Sequence, residues 1–382
     1  MPEHLLRRPY RFGFILSTSL GNLTRYRILR KFAERDASID FTWAPVKHYL
    51  APGEPDHFRW LPGFLKARAI VLQQSWPCLQ RFGEFDAVMI HMYEVDLLTS
   101  VRAAFLRSPL RVISTDDAPA IDPANYPLHP VDQAKPAWRR ALRLRLDLWR
   151  ARRADLLIPF SKWAAKILVE GAGIDNDKVI PLHVGLDLDV WKYVPKAPLK
   201  PGERAKLLFV GGEFQRKGGA HLLASFQRHL SDIAELHLVT KSGPTILPPH
   251  VYVYGNLSPN DERLAQLYRE ADIFIHPTTS DLTPWVVLEA LASGCPTIVT
   301  RIGGIGELVE EGRTGLFVPV GDVDALGAAI RSLLADPARL HAIGQEARRF
   351  IEQNFDASVN VPKILGIMKS AVDRRRSEDN PR

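Results

Sequence analysis

Short apolar runs alternate with helical patterns along this chain, and that alternation limits the fold more than any other feature. Arg11–Leu16, Ala87–His91, Arg111–Ser114, Leu156–Pro159 and Val179–Pro181 precede the middle of the chain. Lys206–Val210, Leu236–Val239, Val251–Tyr254, Ile273–His276, Thr297–Val299 and Gly315–Val318 follow it. Apolar residues at helical spacing lie between most of these runs. That order predicts parallel sheets with crossover helices. The series is interrupted once, by the stiff stretch Pro195-Lys196-Ala197-Pro198-Leu199-Lys200-Pro201-Gly202. At 382 residues the chain is too long for one ordinary core. The expected architecture is therefore α/β, with two doubly wound, Rossmann-like parallel-sheet domains over 1–196 and 202–355 facing each other across a cleft.

Composition removes several function classes. Cys78 and Cys295 are the only cysteines, so no disulfide framework is expected and a reducing cytoplasm fits. No apolar run approaches the roughly 20 residues of a membrane helix, and Phe12–Leu16 reads as a first strand rather than a secretory signal. The formal charge of +7 concentrates in Lys135–Arg153, which carries Arg139, Arg140, Arg143, Arg145, Arg150, Arg152 and Arg153 against Asp147. Leu142, Leu146 and Trp149 mark its apolar side. Such a basic amphipathic helix is either a solvated face or a peripheral contact with an anionic membrane, here at its inner face. Nucleic-acid binding is not expected, since no finger, helix-turn-helix or aromatic RNA-binding motif accompanies the charge. The tail from Arg374 is charged and expected to be disordered.

In open parallel sheets, ligands bind beyond the carboxyl ends of the strands, and the informative loops fall there. Lys206–Val210 runs into Gly211-Gly212-Glu213-Phe214-Gln215-Arg216-Lys217-Gly218-Gly219 and then a helix. Glycines let the backbone approach a ligand, a helix N-terminus favours an anion, and Arg216 and Lys217 add two cations, which fits a nucleotide diphosphate; the other reading is a glycine-rich turn with a solvated basic pair. The motif is neither a Walker loop nor the dinucleotide fingerprint. Arg301-Ile302-Gly303-Gly304-Ile305-Gly306-Glu307 is a second glycine loop, whose amides suit a sugar or phosphate or simply a tight turn. Between the two, Ser280–Val299 places Asp281 and Glu289 eight positions apart across a helix start. Thr283 is the expected N-cap, Pro284 the first helical residue and Gly294 the residue past the end. Glu289 falls on the apolar face with Trp285 and Ala292, where a carboxylate is costly unless hydrogen-bonded or paired. Together these loops read as a nucleotide-sugar site, with Glu289 accepting from a ribose diol and Asp281 from sugar hydroxyls. The alternatives are a buried ion pair for Glu289 and a turn carboxylate for Asp281. Asp187-Leu188-Asp189 and Asp322-Val323-Asp324 resemble metal-binding signatures but sit in turns, and no metal site is expected.

Here the chain resembles the retaining glycosyltransferases of family 4, which have the GT-B fold. The resemblance rests on Asp281-x7-Glu289 followed by Ala-Leu-Ala-Ser-Gly-Cys-Pro, where the family has Glu-x7-Glu. Val-Gly-Gly…Arg-Lys-Gly at 210–218, Tyr-Arg-Glu-Ala-Asp-Ile-Phe-Ile-His-Pro at 268–277, Gly-Gly-Ile-Gly-Glu-Leu at 303–308 and Gly-Leu-Phe-Val-Pro at 315–319 support it. It extends upstream through Ala154–Asp187 and weakens over 1–150.

The resemblance implies transfer of a hexosyl unit from a UDP- or GDP-linked sugar to a hydroxyl acceptor such as a glycan or glycolipid, with retained anomeric configuration and no required metal or other cofactor. Lys217, helped by Arg216, would stabilise the departing diphosphate, with Asp281 as the third catalytic residue. Gly211, Gly212, Leu282, Thr283, Pro284, Glu289, Gly303 and Gly304 would hold the donor. Gly21 and Asn22 in the loop after the first strand, His91 at a strand end, and Asp116 and Asp117 would line the acceptor side. For His91 the other reading is structural, and for the two aspartates it is loop capping. Residues 356–374 would pack as a helix back onto the first domain. Two further readings are a non-catalytic nucleotide-sugar-binding homologue and a nucleotide-sugar epimerase or hydrolase.

Overall fold

The structure is a computed structural model describing residues 8–19, 21–47, 49, 56–91, 93–105, 108–116, 136–196, 199–200, 202–259 and 261–379. In chain order the first half contains β1 (Tyr10–Ser17), α1 (Asn22–Ala33), β2 (Ile39–Val46), α2 (Gly63–Leu79), β3 (Ala87–His91), α3 (Tyr93–Ala103), β4 (Leu110–Thr115), α4 (Ala137–Arg153), β5 (Leu156–Pro159) and α5 (Lys162–Lys166). The strands form one parallel sheet in the order β2-β1-β3-β4-β5. Central β1 buries Phe12, Phe14 and Leu16 on one face and Ile15 on the other, so its sequence is a near-continuous apolar run. β2 lies at the edge, and Asp40, Thr42 and Pro45 break its apolar pattern. Pro is tolerated there because an edge strand has one unpaired side. Val179–Pro181 is not a strand: only Val179 bridges to Leu157.

The second half contains β6 (Ala205–Val210), α6 (Gly219–His229), β7 (Ala234–Val239), β8 (Val251–Tyr254), α7 (Glu262–Glu270), β9 (Ile273–His276), α8 (Trp285–Ala292), β10 (Thr297–Thr300), β11 (Gly315–Val318), α9 (Val323–Leu334), α10 (Pro337–Asn354) and α11 (Ala357–Asp379). Its parallel sheet has the order β11-β10-β9-β6-β7-β8. One face packs on α7, α8 and α10 through Leu264, Tyr268, Leu288, Leu291 and Phe350. The other packs on α6 and α9 through Leu222, Phe226, Leu326 and Ile330. The chain enters this half ahead of the proline-rich stretch, since Leu186 and Trp191 already belong to its core, Trp191 against the Tyr268 ring.

It also returns. Leu186 N–H donates to Phe355 O at 2.7 Å and Ala357 N–H to Leu186 O at 3.0 Å. From there α11 lays Val361, Ile364, Leu365 and Met368 on the first sheet beside α1. Tyr10 Oη donates to Asp373, Lys369 Nζ to Asp36 and Arg376 pairs with Asp86, so the charged tail from Arg374 is helical through Asp379 rather than disordered. With α1 and α11 on that face, the other face of the first sheet carries α2 and α3. α4 lies alongside α3. Among the described residues no helix is long and apolar enough to cross a membrane.

Candidate active site

In each sheet the parallel strands point their carboxyl ends the same way, and the polar side chains gather at those ends. The loop after β6 and the loop after β9 are stitched together. Arg216 O accepts from Thr279 N–H at 3.0 Å and from the hydroxyls of Thr278 and Thr279 at 3.2 and 3.0 Å. Contact this close needs a glycine. Gly218 has φ +79°, and a Cβ there would stand 1.9 Å from Pro277 O. The loop after β10 closes on the same segment: Gly303 has φ +55°, with Asp281 O where its Cβ would go.

Lys217 and Asp281 meet inside this arrangement as an ion pair with both side chains largely buried. The Asp281 Oδ2 that faces Lys217 Nζ also lies 3.0 Å from His276 Nε2, and Asp281 Oδ1 accepts from Leu282 N–H at 3.1 Å. Burial alone would raise the Asp281 carboxyl, but Lys217 and His276 overcome it and hold the group well below the ordinary carboxylate range. Burial lowers the Lys217 ammonium, and Asp281 partly restores it. His276 is fully buried and burial keeps it neutral, so the shared contact is an Nε2–H donated to Asp281. The stretch 268–277 carries family likeness, but the pairing of His276 with Asp281 depends on a turn that returns the chain five residues later.

Arg216 is engaged differently from Lys217. Its Nη1 donates to Ser280 O at 2.6 Å, while Nε and Nη2 hold Glu213 at 3.0 and 2.6 Å. It ties the two loops together. Glu289 is not part of the basic cluster. Tyr268 Oη donates to its Oε2 at 3.0 Å, and burial, opposed by that bond, pushes its carboxyl up to about 7. Of the two readings of Glu289, the buried ion pair finds no partner among the described residues; Tyr268 hydrogen-bonds it instead. Tyr268 has no signal of its own in sequence beyond its place in the 268–277 stretch.

Two local expectations change. α8 starts at Trp285 with Pro284 in the capping position, and Thr283 Oγ1 is buried with no partner among the described residues. The β-region ψ of 123° at Pro284 delays the first helical turn by one residue. Gly304 N–H is not open to a ligand either, because it donates to Leu282 O at 2.8 Å. Gly211 packs against the Lys217 side chain, whereas Gly212 is exposed, with nothing within 4 Å of where a Cβ would stand. Asp187 is neutralised by Lys31 at 2.5 Å, and Asp322 caps α9. Among the described residues no group of three His, Cys, Asp or Glu gathers as a metal site would require.

On the facing side, Gly21 precedes α1, and Asn22 begins it. A Cβ on Gly21 would meet Trp285 at 3.5 Å. His91 and Asp116 come together at the ends of β3 and β4, 3.8 Å apart, and line a cavity of about 190 Å³ with Ser114, Arg143 and Arg150. Asp117 lies outside the described residues. Two further residues complete this wall, Arg25 with no sequence signal and His183 with only its place in the Ala154–Asp187 stretch. Arg25 is 1% exposed, donates to Ser114 Oγ at 2.6 Å and lies 4.4 Å over the Phe160 ring. Burial lowers it to about 10. His183 packs 4.9 Å from Trp285 and burial, reinforced by Arg25, lowers it to about 3. The halves also touch where Glu307, at the end of the second glycine loop, accepts from the first N–H groups of α5, including Lys162 at 2.8 Å.

Residues 204–336 match the family described as glycosyl transferases group 1. Over 231 residues the chain is 29% identical to a glycogen synthase of Mycobacterium tuberculosis, covering 55% of this chain and 53% of that one. The chain spans about half the length of the curated relatives it matches first. Among solved structures, the sucrose-phosphate synthase of Thermosynechococcus elongatus superposes with a TM-score of 0.74 at 17% identity, covering 94% of this chain and 98% of that one. Anabaena HepE in complex with UDP-glucose superposes with a TM-score of 0.68 at 18% identity, covering 94% and 99%. The fold is GT-B.

Proposed function

Because residues 204–336 match the glycosyl transferases group 1 family, we propose that the chain moves a hexosyl unit from a nucleotide-diphosphate sugar to a hydroxyl acceptor, with retention at the anomeric carbon. The observation that carries this reading is the Lys217–Asp281–His276 cluster, held between three strand-end loops beside Gly212, where the space a Cβ would take is empty. A diphosphate entering at Gly212 would take Lys217 from Asp281, freeing the carboxylate for hydroxyls of the donor sugar. Lys217 would then face the charge that grows on the departing phosphate. A pre-aimed cation in a water-poor site stabilises such charge by several kcal/mol, so this chain's own residues suffice for that step without a metal. Arg216 acts by fixing the loop that carries Lys217.

Glu289 would accept from the ribose hydroxyls through the oxygen that Tyr268 leaves open. His91 and Asp116 would face the acceptor from the other wall. In the retaining course, the acceptor hydroxyl attacks from the side the diphosphate leaves, and a donor phosphate oxygen takes its proton. That a solved structure of this fold holds UDP-glucose favours a UDP-linked donor as the first to try.

The test incubates the chain with labelled UDP- and GDP-sugars, with and without glycan and glycolipid acceptor pools, and with EDTA in a parallel set. The proposal expects acceptor-dependent nucleotide release that chelator leaves unchanged, and a product of unchanged anomeric configuration. Nucleotide-sugar binding with no turnover across the panel would instead identify a non-catalytic binding homologue.

A further inference from the structure

Three tryptophans among the described residues are exposed by more than half, Trp60 at 75%, Trp76 at 60% and Trp138 at 63%. All three belong to one layer outside the first sheet, made by α2 with the turn ahead of it, α3 and α4. The exposed apolar residues there are not scattered. Leu65, Leu72 and Trp76 are spaced seven and four apart along α2, and Leu98, Val101 and Phe105 three and four apart along α3 and its end. Trp138 and Leu142 are four apart on α4. Each spacing puts its set on one side of a helix. The opposite sides hold Val71 and Cys78 of α2 in the core and bury Asp96 and Ser100 of α3. The three helices lie side by side. Isolated exposed apolar residues are ordinary, but aligned stripes on adjoining helices mark an interaction face.

Arginines interleave with these stripes: Arg59, Arg68, Arg102, Arg139, Arg140 and Arg145 are all exposed. The mixture of tryptophan, aliphatic and arginine side chains is the composition of the zone between lipid headgroups and acyl chains. A second copy is the poorer occupant, because an isologous contact sets like charges against each other across the two-fold. We infer that the outer face of α2, α3 and α4 docks on an anionic lipid bilayer.

The placement relates this face to the cleft. Lys47, just past β2, donates its N–H to Gln74 late in α2 at 2.7 Å, and Arg143, Asp147 and Arg150 of α4 line the cavity at the ends of β3 and β4, so the earlier residues Trp60, Leu65, Trp138 and Leu142 lie toward the cleft end of the layer. Residues 137–145 are exposed on every side, and Arg143 from this stretch also lines the cavity of His91 and Asp116. A bilayer on this face would therefore sit beside the acceptor wall. This corollary rests on the proposed transfer reaction and makes a lipid-linked acceptor the class to test first. The docking itself does not depend on that reaction.

The test is flotation of the full chain with phosphatidylcholine vesicles, either pure or containing about a third phosphatidylglycerol, with no donor or acceptor present. The chain binds the anionic vesicles, more weakly as salt rises and far more weakly on pure phosphatidylcholine. Arg139→Ser with Arg145→Ser lowers the affinity about 25-fold, since each arginine at such a surface contributes about 1 kcal/mol. Trp60→Ser with Trp138→Ser lowers it about tenfold or more. In the unaltered chain, brominated lipids quench tryptophan emission, which reads contact without any substitution. Nucleotide binding by both variants serves as the check that they fold. Absence of binding to anionic vesicles, or equal binding by both variants, overturns the inference. So does a concentration-dependent dimer abolished by the same substitutions, or RNA binding in preference to vesicles.

Discussion

Asp281→Asn should move the two halves of donor recognition in opposite directions. In the resting site the Asp281 carboxylate neutralises Lys217 and accepts from His276. A nucleoside diphosphate must compete with it for the ammonium. At contact distance, two unit charges in a partly buried site attract by roughly 4 kcal/mol at an effective dielectric near 20, before desolvation is subtracted. The Asn substitution removes that competitor but leaves Lys217 partly desolvated, and burial already lowers its proton affinity. A net gain of about 1–2 kcal/mol for the diphosphate follows, which is roughly 5- to 30-fold in affinity. The intact donor gains less, because the sugar loses the carboxylate that accepts from its hydroxyls. The ratio of donor to diphosphate affinity should therefore fall. Calorimetric titration of the unaltered and Asp281→Asn chains with a diphosphate and its sugar conjugate measures both. If the substitution weakens the bare diphosphate as much as Lys217→Ala does, Asp281 holds Lys217 in position rather than competing for it, and the exchange argument fails.

Lys217→Ala should lower kcat about 10²- to 10³-fold, the loss associated with one aimed transition-state donor, with far-ultraviolet circular dichroism unchanged. Gly218→Ala forces a Cβ toward Pro277 O at 1.9 Å and a positive φ on an L-residue. It should cost about 3 kcal/mol in denaturant unfolding and separate the loops that carry Lys217 and Asp281. Glu289 gives a pH signature. Its carboxyl rises from 4.5 to about 7 on folding, so the folded chain binds the extra proton between those values. Stability falls as pH rises through that window, by about 3 kcal/mol in all. Glu289→Gln should flatten that slope between pH 5 and 7 in urea titrations, while weakening binding of any donor that carries a ribose diol.

How far the sequence carries the fold can be seen strand by strand. Central β1 is legible because burial on both faces demands a continuous apolar run. β2 is not, because an edge strand half open to solvent accepts Asp40, Thr42 and Pro45 without penalty. The site shows the same division. Glycines at 218 and 303 advertise close backbone approach, and Lys217, Asp281 and Glu289 are chemically conspicuous. Tyr268 and His276 look like ordinary members of a buried helix and strand. Their importance comes from contacts 21 and five residues away in sequence, which no local pattern encodes. Arg25 is a harder case still. It sits in an ordinary basic helix and becomes a buried cation only because α1 meets Ser114 and Phe160 across the sheet.

The spacing of Asp281 and Glu289 looks at first like an acid/base pair, and the electrostatics separate them. Glu289 has a carboxyl pushed up to about 7, one hydrogen-bonded oxygen and, among the described residues, no charged partner. It is suited to accepting from neutral hydroxyls, where an unpaired buried charge is the cost of a vacant site. Asp281 is held ionised, with Oδ2 shared between Lys217 and His276 and Oδ1 taken by Leu282 N–H. Lys217 and His276 hold its proton affinity low, so it is a poor base. A residue held this way contributes by letting go of Lys217, and what releases it is a stronger anion for that lysine. A diphosphate supplies that anion at the spot where the glycine loop opens at Gly212. The same event frees Asp281 and discharges its own charge onto Lys217, so binding of the phosphates and grip on the sugar become one step. A free monosaccharide brings no such anion, and it should leave the Lys217–Asp281 pair closed.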